Sequence, residues 1–203
     1  MCIRDSLYLA IEGKLAAVIC VEDPLREEAA DAVRELKEAG ITKVVMMTGD
    51  SERTAAAIAK RVGVDEYYSE VLPEDKASFV EKEKELGHKV IMIGDGINDS
   101  LALSSASVGI AISDGAAIAR EIADVTISAD NLHEIVTLKR LSTALMKRIH
   151  NNYRTIIGIN GGLIALGVTG IIMPTTSALL HNMSTLTISL RSMRNLLPKE
   201  EEA

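Results

Sequence analysis

Two carboxylates, one amide and two glycines fall within six consecutive residues, Gly94-Asp95-Gly96-Ile97-Asn98-Asp99, directly after the apolar run Lys89 to Ile93. Asp95 and Asp99 straddle a glycine-permitted turn, and such hard oxygen donors suit Mg²⁺, which takes one or two carboxylates plus phosphate oxygens and water. Gly94 and Gly96 let backbone come close to a phosphate, and the Asn98 amide can donate to its oxygens. An ordinary Asp-Gly turn shows the same local pattern. Thr48-Gly49-Asp50 offers a hydroxyl and backbone N–H groups ahead of a helix, a ready anion site. Lys76, after Pro73-Glu74-Asp75, offers a cation to offset phosphoryl charge. Alone, each of these two is a weak signal, since Thr-Gly-Asp arises by chance and a lone Lys at a helix start is commonly solvated.

The elements around these residues place them. Leu7 to Ala10 and Lys14 to Val21 read as a hairpin about Glu12-Gly13. Asp23-Pro24 opens a helix whose apolar positions Ala29, Val33, Leu36 and Ala39 keep helical spacing until Gly40 stops it. Lys43 to Met47 is a continuous apolar run, as expected of a strand buried on both faces, and it ends at Thr48. A helix over Glu52 to Val62, a short strand at Tyr67-Tyr68 and a helix from Pro73 follow. Next come the strand Lys89 to Ile93, a helix rich in Ala and Ser, and strands at Val108 to Ile112 and Val125 to Ile127 with a helix around Ala116 to Ile122 between them. Alternating strands and helices joined by short turns predict right-handed βαβ units and a doubly wound, mainly parallel α/β sheet. Sites in such sheets lie beyond the carboxyl ends of the strands, where Thr48 to Asp50 and Gly94 to Asp99 both fall.

Charge divides the 203-residue chain. From Thr155 to Leu190 there is no Asp, Glu, Lys or Arg, and only His181 can carry charge there. A helix from Asn131 to about Tyr153 ends among Lys147, Arg148, His150 and Arg154. Thr155 to Met173 then gives 19 uncharged residues, about 28 Å as a helix. Met173-Pro174 turns the chain, Thr175 to Leu190 returns, and Arg191 and Arg194 mirror the basic entry side. Basic residues at both ends and none at the turn predict a transmembrane helical hairpin with both ends in the cytoplasm. A helical hairpin buried in a soluble protein satisfies the same lengths. The second segment is polar for a membrane helix and is expected to face protein.

A net charge of −7 argues against a nucleic-acid partner, and one Phe, four Tyr and no Trp leave no stacking platform for bases. Cys2 and Cys20 have no metal-ligand spacing and fit a reducing compartment. The Glu81 to Glu85 run, His88, His133 and His150 read as solvated. The chain opens almost on a strand, without a signal peptide, so a native start is not expected at Met1. The expected organisation is strands at the truncated start of a domain over 1–21, the domain itself over 22–150, the hairpin over 151–197 and a tail over 198–203.

Together, in order and spacing, Glu22-Asp23-Pro24-Leu25-Arg26, Met47-Thr48-Gly49-Asp50, Leu72-Pro73-Glu74-Asp75-Lys76, Gly94-Asp95-Gly96-Ile97-Asn98-Asp99 and Leu101-Ala102-Leu103…Val108-Gly109-Ile110-Ala111 resemble the haloacid-dehalogenase superfamily. Within it they resemble the phosphorylation domain of heavy-metal-transporting P-type ATPases, in which two membrane helices end the chain. The resemblance covers about Leu7 to Leu197. It implies that Thr48 binds phosphoryl oxygens, Gly49 and Asp50 shape that loop, and Lys76 stabilises the phosphoryl charge. It further implies that Asp95 holds Mg²⁺ with Asp99 beside it supporting the loop, that Asn98 contacts phosphate, and that ATP is the phosphoryl donor of the complete protein. A multi-pass membrane location, with the catalytic domain and C-terminus cytoplasmic, follows from the same resemblance.

One departure limits the expectation. The family's phosphorylated Asp lies in Asp-Lys-Thr-Gly-Thr, and no such sequence occurs here; Asp75-Lys76 is followed by Ala77. Without that nucleophile no acyl-phosphate forms, so the chain by itself is expected to be inactive and to need upstream domains of the same protein. A soluble phosphatase of the superfamily is the rival reading, but it needs an early Asp-x-Asp, and the sequence contains none. A membrane-anchored module that binds Mg²⁺ and phosphate without catalysis is a third. Asn160, His181 and Asn182 are the candidates for contact with a transported metal; interhelical hydrogen bonding would account for the same residues equally well. Copper pumps of this branch tend to carry Tyr-Asn and Met-x-x-Ser-Ser patterns, which Ile159-Asn160 and Met183-Ser184-Thr185 match poorly. An imidazole at His181 suits a divalent transition metal.

Overall fold

Apolar runs bounded by turn residues produce the strands, and alanine-rich amphipathic stretches produce the helices between them. The computed structural model describes residues 5–11, 13–21, 25–94, 99–112, 121–127 and 131–196, which divide into two units, Met1–Val136 and Thr137–Ala203. The first unit runs β1 (Asp5–Ile11), β2 (Lys14–Val21), α1 (Ala29–Glu38), β3 (Val45–Met47), α2 (Glu52–Val62), β4 (Glu66–Tyr68), α3 (Pro73–Glu85), β5 (Ile91–Gly94), α4 (Ser100–Ser105), β6 (Val108–Ile112) and β7 (Val125–Ile127). Helix α5 (His133–Val168) begins in this unit and continues into the second, which it shares with α6 (Pro174–Ser192).

The expected hairpin is present: β1 and β2 pair antiparallel, with an irregularity between Leu9 and Ala10. The expected α/β architecture with parallel strands is present too, but its strands form separate ladders. β3 pairs with β4, and β5, β6 and β7 pair in that order, all parallel, while β3 and β5 are not hydrogen-bonded to each other. This corrects the expectation of strands buried on both faces. β3 is only half-buried and Ile91 of β5 is exposed, because among the described residues each has a neighbour on one edge alone; in β6, flanked on both sides, Gly109, Ile110 and Ala111 are buried. The helix expected around Ala116 to Ile122 falls mostly outside the described residues.

The core under the three-stranded ladder is small-residue packing. Ala77 and Val80 of α3 meet Ala102 of α4, with Val90, Met92 and Ala106 packed against them. Methyl side chains at Ala77 and Ala102 let these helices approach closely. Ala29 and Ala32 of α1 and Ala55 and Ala59 of α2 are buried in the same manner, so an apolar stripe of alanines, rather than bulk, seats these helices. Asp124 accepts the Gly109 N–H at 2.9 Å and thereby ties the entrance of β7 to β6.

The second unit is an antiparallel helical hairpin, and its helix boundaries differ from expectation. α5 passes through Tyr153 unbroken and stops at Val168, five residues before Met173. The cause is Gly170, at φ 72°. Its N–H bonds to Gly167 O and that of Ile171 bonds to Leu166 O, the paired closure of a helix end that needs a left-handed residue after it. The charge-free part of α5 is therefore Thr155 to Val168, about 21 Å long. Among the described residues no helix is long and apolar enough to cross a membrane.

Asp65 joins three segments of the first unit, accepting the Lys37 ammonium of α1 at 2.7 Å and the Val44 N–H before β3 at 2.7 Å. The Lys37 bond first, and then the Val44 N–H, hold this carboxyl below its usual range. A lowered carboxyl pKa stabilises the fold above the unfolded value and ceases to do so as pH falls through the folded one. Thermal melts across the acid limb are expected to show Asp65→Asn less stable than wild type near neutrality, with the difference vanishing as pH drops below the ordinary Asp range.

Candidate functional site

Thr48 follows the carboxyl end of β3, and the backbone around it is held from the opposite segment. Its N–H donates to Tyr68 O at 3.0 Å, Val71 N–H donates to Thr48 O at 3.0 Å, and Glu70 N–H donates to Asp50 O at 2.9 Å. Glu70 adopts φ 53°, the one left-handed non-glycine among the described residues, and this conformation brings two successive N–H groups back onto the loop. Within the loop the Thr48 hydroxyl donates to Asp50 Oδ2 at 2.7 Å and accepts the Asp50 N–H at 3.1 Å. Asp50 thus fixes the rotamer of Thr48. Thr48 is half-buried, whereas Gly49 and Asp50 are exposed.

Lys76 and Asp99 form the second part. Lys76 lies in the first turn of α3, which Pro73 pre-sets and the Asp75 carboxylate closes by accepting Leu72 N–H at 3.1 Å. Its ammonium donates to Asp99 Oδ1 at 2.7 Å, with side-chain exposures of 15% and 12%. Asp99 precedes α4, and its backbone carbonyl accepts the Leu103 N–H at 2.8 Å. Its other oxygen, Oδ2, packs on Gly94: a Cβ there would sit 2.5 Å from it. A glycine is therefore required at the end of β5 for steric reasons, so that the carboxylate can reach back to Lys76.

Both parts lie past carboxyl ends of parallel strands, where a phosphate-handling site is expected. Asp95 and Asn98 fall outside the described residues. The magnesium reading meets a limited fit. Among the described residues no group of three His, Cys, Asp or Glu side chains could hold a metal, and Lys76 occupies one oxygen of Asp99. The nearby cavity of about 240 Å³, lined by Met47, Tyr68, Ser69, Glu70, Val71, Asp75 and Phe79, includes none of Thr48, Asp50, Lys76 or Asp99, and we do not read it as the phosphate site.

Glu52 escaped the sequence reading. It sits in the first turn of α2 and accepts hydroxyl hydrogen bonds from Ser69 and from Tyr67, the latter at 2.8 Å. These bonds, Ser69 first, hold its carboxyl below the usual range. They brace the segment that supplies the Glu70 and Val71 N–H groups. Only an acidic residue at a helix start signalled it, and that signal is too common to point to long-range bracing.

In the second unit the Asn160 amide oxygen lies 2.8 Å from His181 Nδ1. Of the three residues expected to contact a transported metal these two are brought together; among the described contacts Asn182 meets neither. An amide oxygen only accepts, so this contact is a hydrogen bond donated by Nδ1, and Nε2 takes no part in it.

The haloacid dehalogenase-like hydrolase profile matches residues 4–107. Copper-transporting ATPase 2 of Rhizobium meliloti is 44% identical over 177 residues, which is 87% of this chain and 21% of that protein. The manganese-exporting P-type ATPase of Mycobacterium bovis is 38% identical over 189 residues, 93% of this chain and 26% of that protein. The crystal structure of a zinc-transporting PIB-type ATPase in an E2.Pi state superposes with a TM-score of 0.87 at 31% identity, covering 96% of this chain and 32% of that one. The chain spans about a quarter or less of the curated relatives it matches.

Removing the counter-charge of a largely buried ammonium is costly. Asp99→Asn is expected to lower the unfolding free energy by about 1–3 kcal/mol in urea titrations, and Lys76→Met added to it should restore part of the loss. Gly94→Ala should act in the same direction through the clash with Asp99, with Lys76 left intact.

Proposed function

The chain belongs to the haloacid dehalogenase-like hydrolase family, and on that premise we propose that it is the C-terminal part of an ATP-driven transition-metal pump, supplying half of a phosphorylation site. The observation that carries this reading is the Lys76–Asp99 pair at 2.7 Å beside the glycine-bearing end of β5. The pair holds a largely desolvated ammonium in a fixed position next to the end of β5. Such a fixed cation stabilises charge on a transferring phosphoryl group more strongly than a solvated one does.

In the proposed arrangement Thr48 turns its hydroxyl from Asp50 to a phosphoryl oxygen, Lys76 neutralises a second, and Asn98 donates to a third. Asp95 and the Oδ2 oxygen of Asp99 would hold Mg²⁺, which supplies charge neutralisation at the phosphate when bound. Asp50 acts mainly as a positioning residue, and Asp99 would combine its metal contact with fixing the Lys76 ammonium. The nucleophile comes from upstream sequence, and the unpaired edges of β3 and β5 support a missing strand between or beside them. The rival phosphatase reading remains without an Asp-x-Asp nucleophile.

The hairpin is proposed to sit in a membrane against further helices of the same protein. No residue of α6 is buried, and large apolar side chains stand exposed along both helices, Val168 at 83% and Leu179 at 62% among them. The hydroxyls of Ser184, Thr185, Thr187 and Ser192 donate to carbonyls of their own helix, which makes a polar helix less costly away from water. The cargo we favour is a divalent transition ion, with His181 Nε2 as a ligand oriented by Asn160; relatives named for copper, manganese and zinc do not separate the choices.

Two measurements test this reading. The isolated chain should incorporate no label from γ-labelled ATP. In the complete protein Lys76→Met should cut metal-stimulated ATP hydrolysis at least about a hundredfold, on the scale of losing one oriented electrostatic donor. His181→Ala should change which ions stimulate hydrolysis, and an unchanged metal profile would remove His181 from the ligand set.

A further inference from the structure

The sequence has no acidic residue between Glu134 and Glu200. Residues 137–203 hold eight of the 22 Lys and Arg and three of the 29 Asp and Glu, a formal +5 against −12 for the remainder. Contacts in the hairpin gather much of this charge at one level. The Arg148 guanidinium donates to Ser192 O at 2.9 Å, to Arg194 O and to Asn195 O at 3.1 Å, and Asn152 donates to Ser192 Oγ at 2.7 Å. Arg148 is used in this way as a cap on the carbonyls at the end of α6. Its bonds set Lys147 to Arg154 of α5 beside Arg191 to Arg194 of α6, a band about 10 Å deep along α5.

Lys147, Arg154, Arg191 and Arg194 are exposed, and none is in an ion pair among the described residues. Leu145, Met146, Ile149 and Tyr153 are interleaved with them at 44–64% exposure, and Ile156 and Ile157 begin the apolar surface beyond. Unneutralised cations mixed with apolar side chains and one Tyr, next to a charge-free stretch, match the chemistry of a headgroup layer over hydrocarbon. Resting on the membrane reading above, we propose that Lys147, Arg154, Arg191 and Arg194 form a collar that binds the phosphodiesters of anionic lipid headgroups. Arg148 is a positioning residue that holds the two halves of the collar together.

The test is flotation of the full chain with vesicles of phosphatidylcholine alone, or of phosphatidylcholine with phosphatidylglycerol, at low and high salt. Wild type should bind both and favour the anionic vesicles at least about tenfold at low salt, a preference lost in high salt. Arg191→Gln with Arg194→Gln should cut that preference several-fold while leaving binding to neutral vesicles unchanged, and Arg→Lys at both positions should retain it. Lys147→Gln with Arg154→Gln provides an independent pair, and helicity by circular dichroism checks folding of each variant. Equal binding to both vesicles, or a preference that survives both Gln pairs, would overturn the collar and leave the membrane reading standing. Binding to neither vesicle would overturn both.

Discussion

A positive charge held out of water needs a fixed partner, and in this chain the Lys76–Asp99 pair meets that need. The ammonium comes from the first turn of α3 and the carboxylate from the residue before α4, 23 positions later. To bring them to 2.7 Å, α3 must pack on α4 and β5 must end in a residue without a side chain. The alanine-rich contact of Ala77 with Ala102 accomplishes the first, and Gly94 the second. Core packing and site geometry are thus one constraint, because enlarging either contact moves the ammonium as well.

The Thr48 loop obeys a different economy. Its groups are half-buried or exposed and are held by backbone bonds from Tyr68, Glu70 and Val71, and by the internal bond to Asp50. The two parts differ in rigidity for a physical reason. Desolvation strengthens the ion pair and makes it costly to break, whereas the hydroxyl of Thr48 can exchange Asp50 for another acceptor at little cost. Under the proposed function, a fixed cation and an exchangeable hydroxyl would be complementary means of receiving a phosphoryl group.

Much of this was legible before the fold was in view. Elements with strong boundaries matched closely: Glu52 to Val62 and Val108 to Ile112 came out with the same ends. Thr48 and Lys76 were legible as candidates because their types matched the order of a family, and the structure adds only the contacts each one makes. Features that depend on spatial neighbours were not legible. That β3 and β5 would be unpaired along one edge among the described residues depends on how distant segments meet, and apolar content alone reads such strands as fully buried. Gly170 showed as a residue type, but its power to end α5 early came from two carbonyls aligned behind it. Glu52 bracing and the Arg148 cap join residues 17 and up to 47 positions apart, beyond any local pattern.

The central claim is that this chain carries the phosphate-handling half of a site whose nucleophile lies on upstream sequence. Co-expressing the chain with a separate fragment bearing the Asp-Lys-Thr-Gly-Thr strand, and measuring hydroxylamine-labile label from γ-labelled ATP, tests it most directly. The account predicts label on the upstream fragment that requires both pieces and is abolished by Lys76→Met. Label on this chain, or label on the upstream fragment that is indifferent to Lys76, would contradict it.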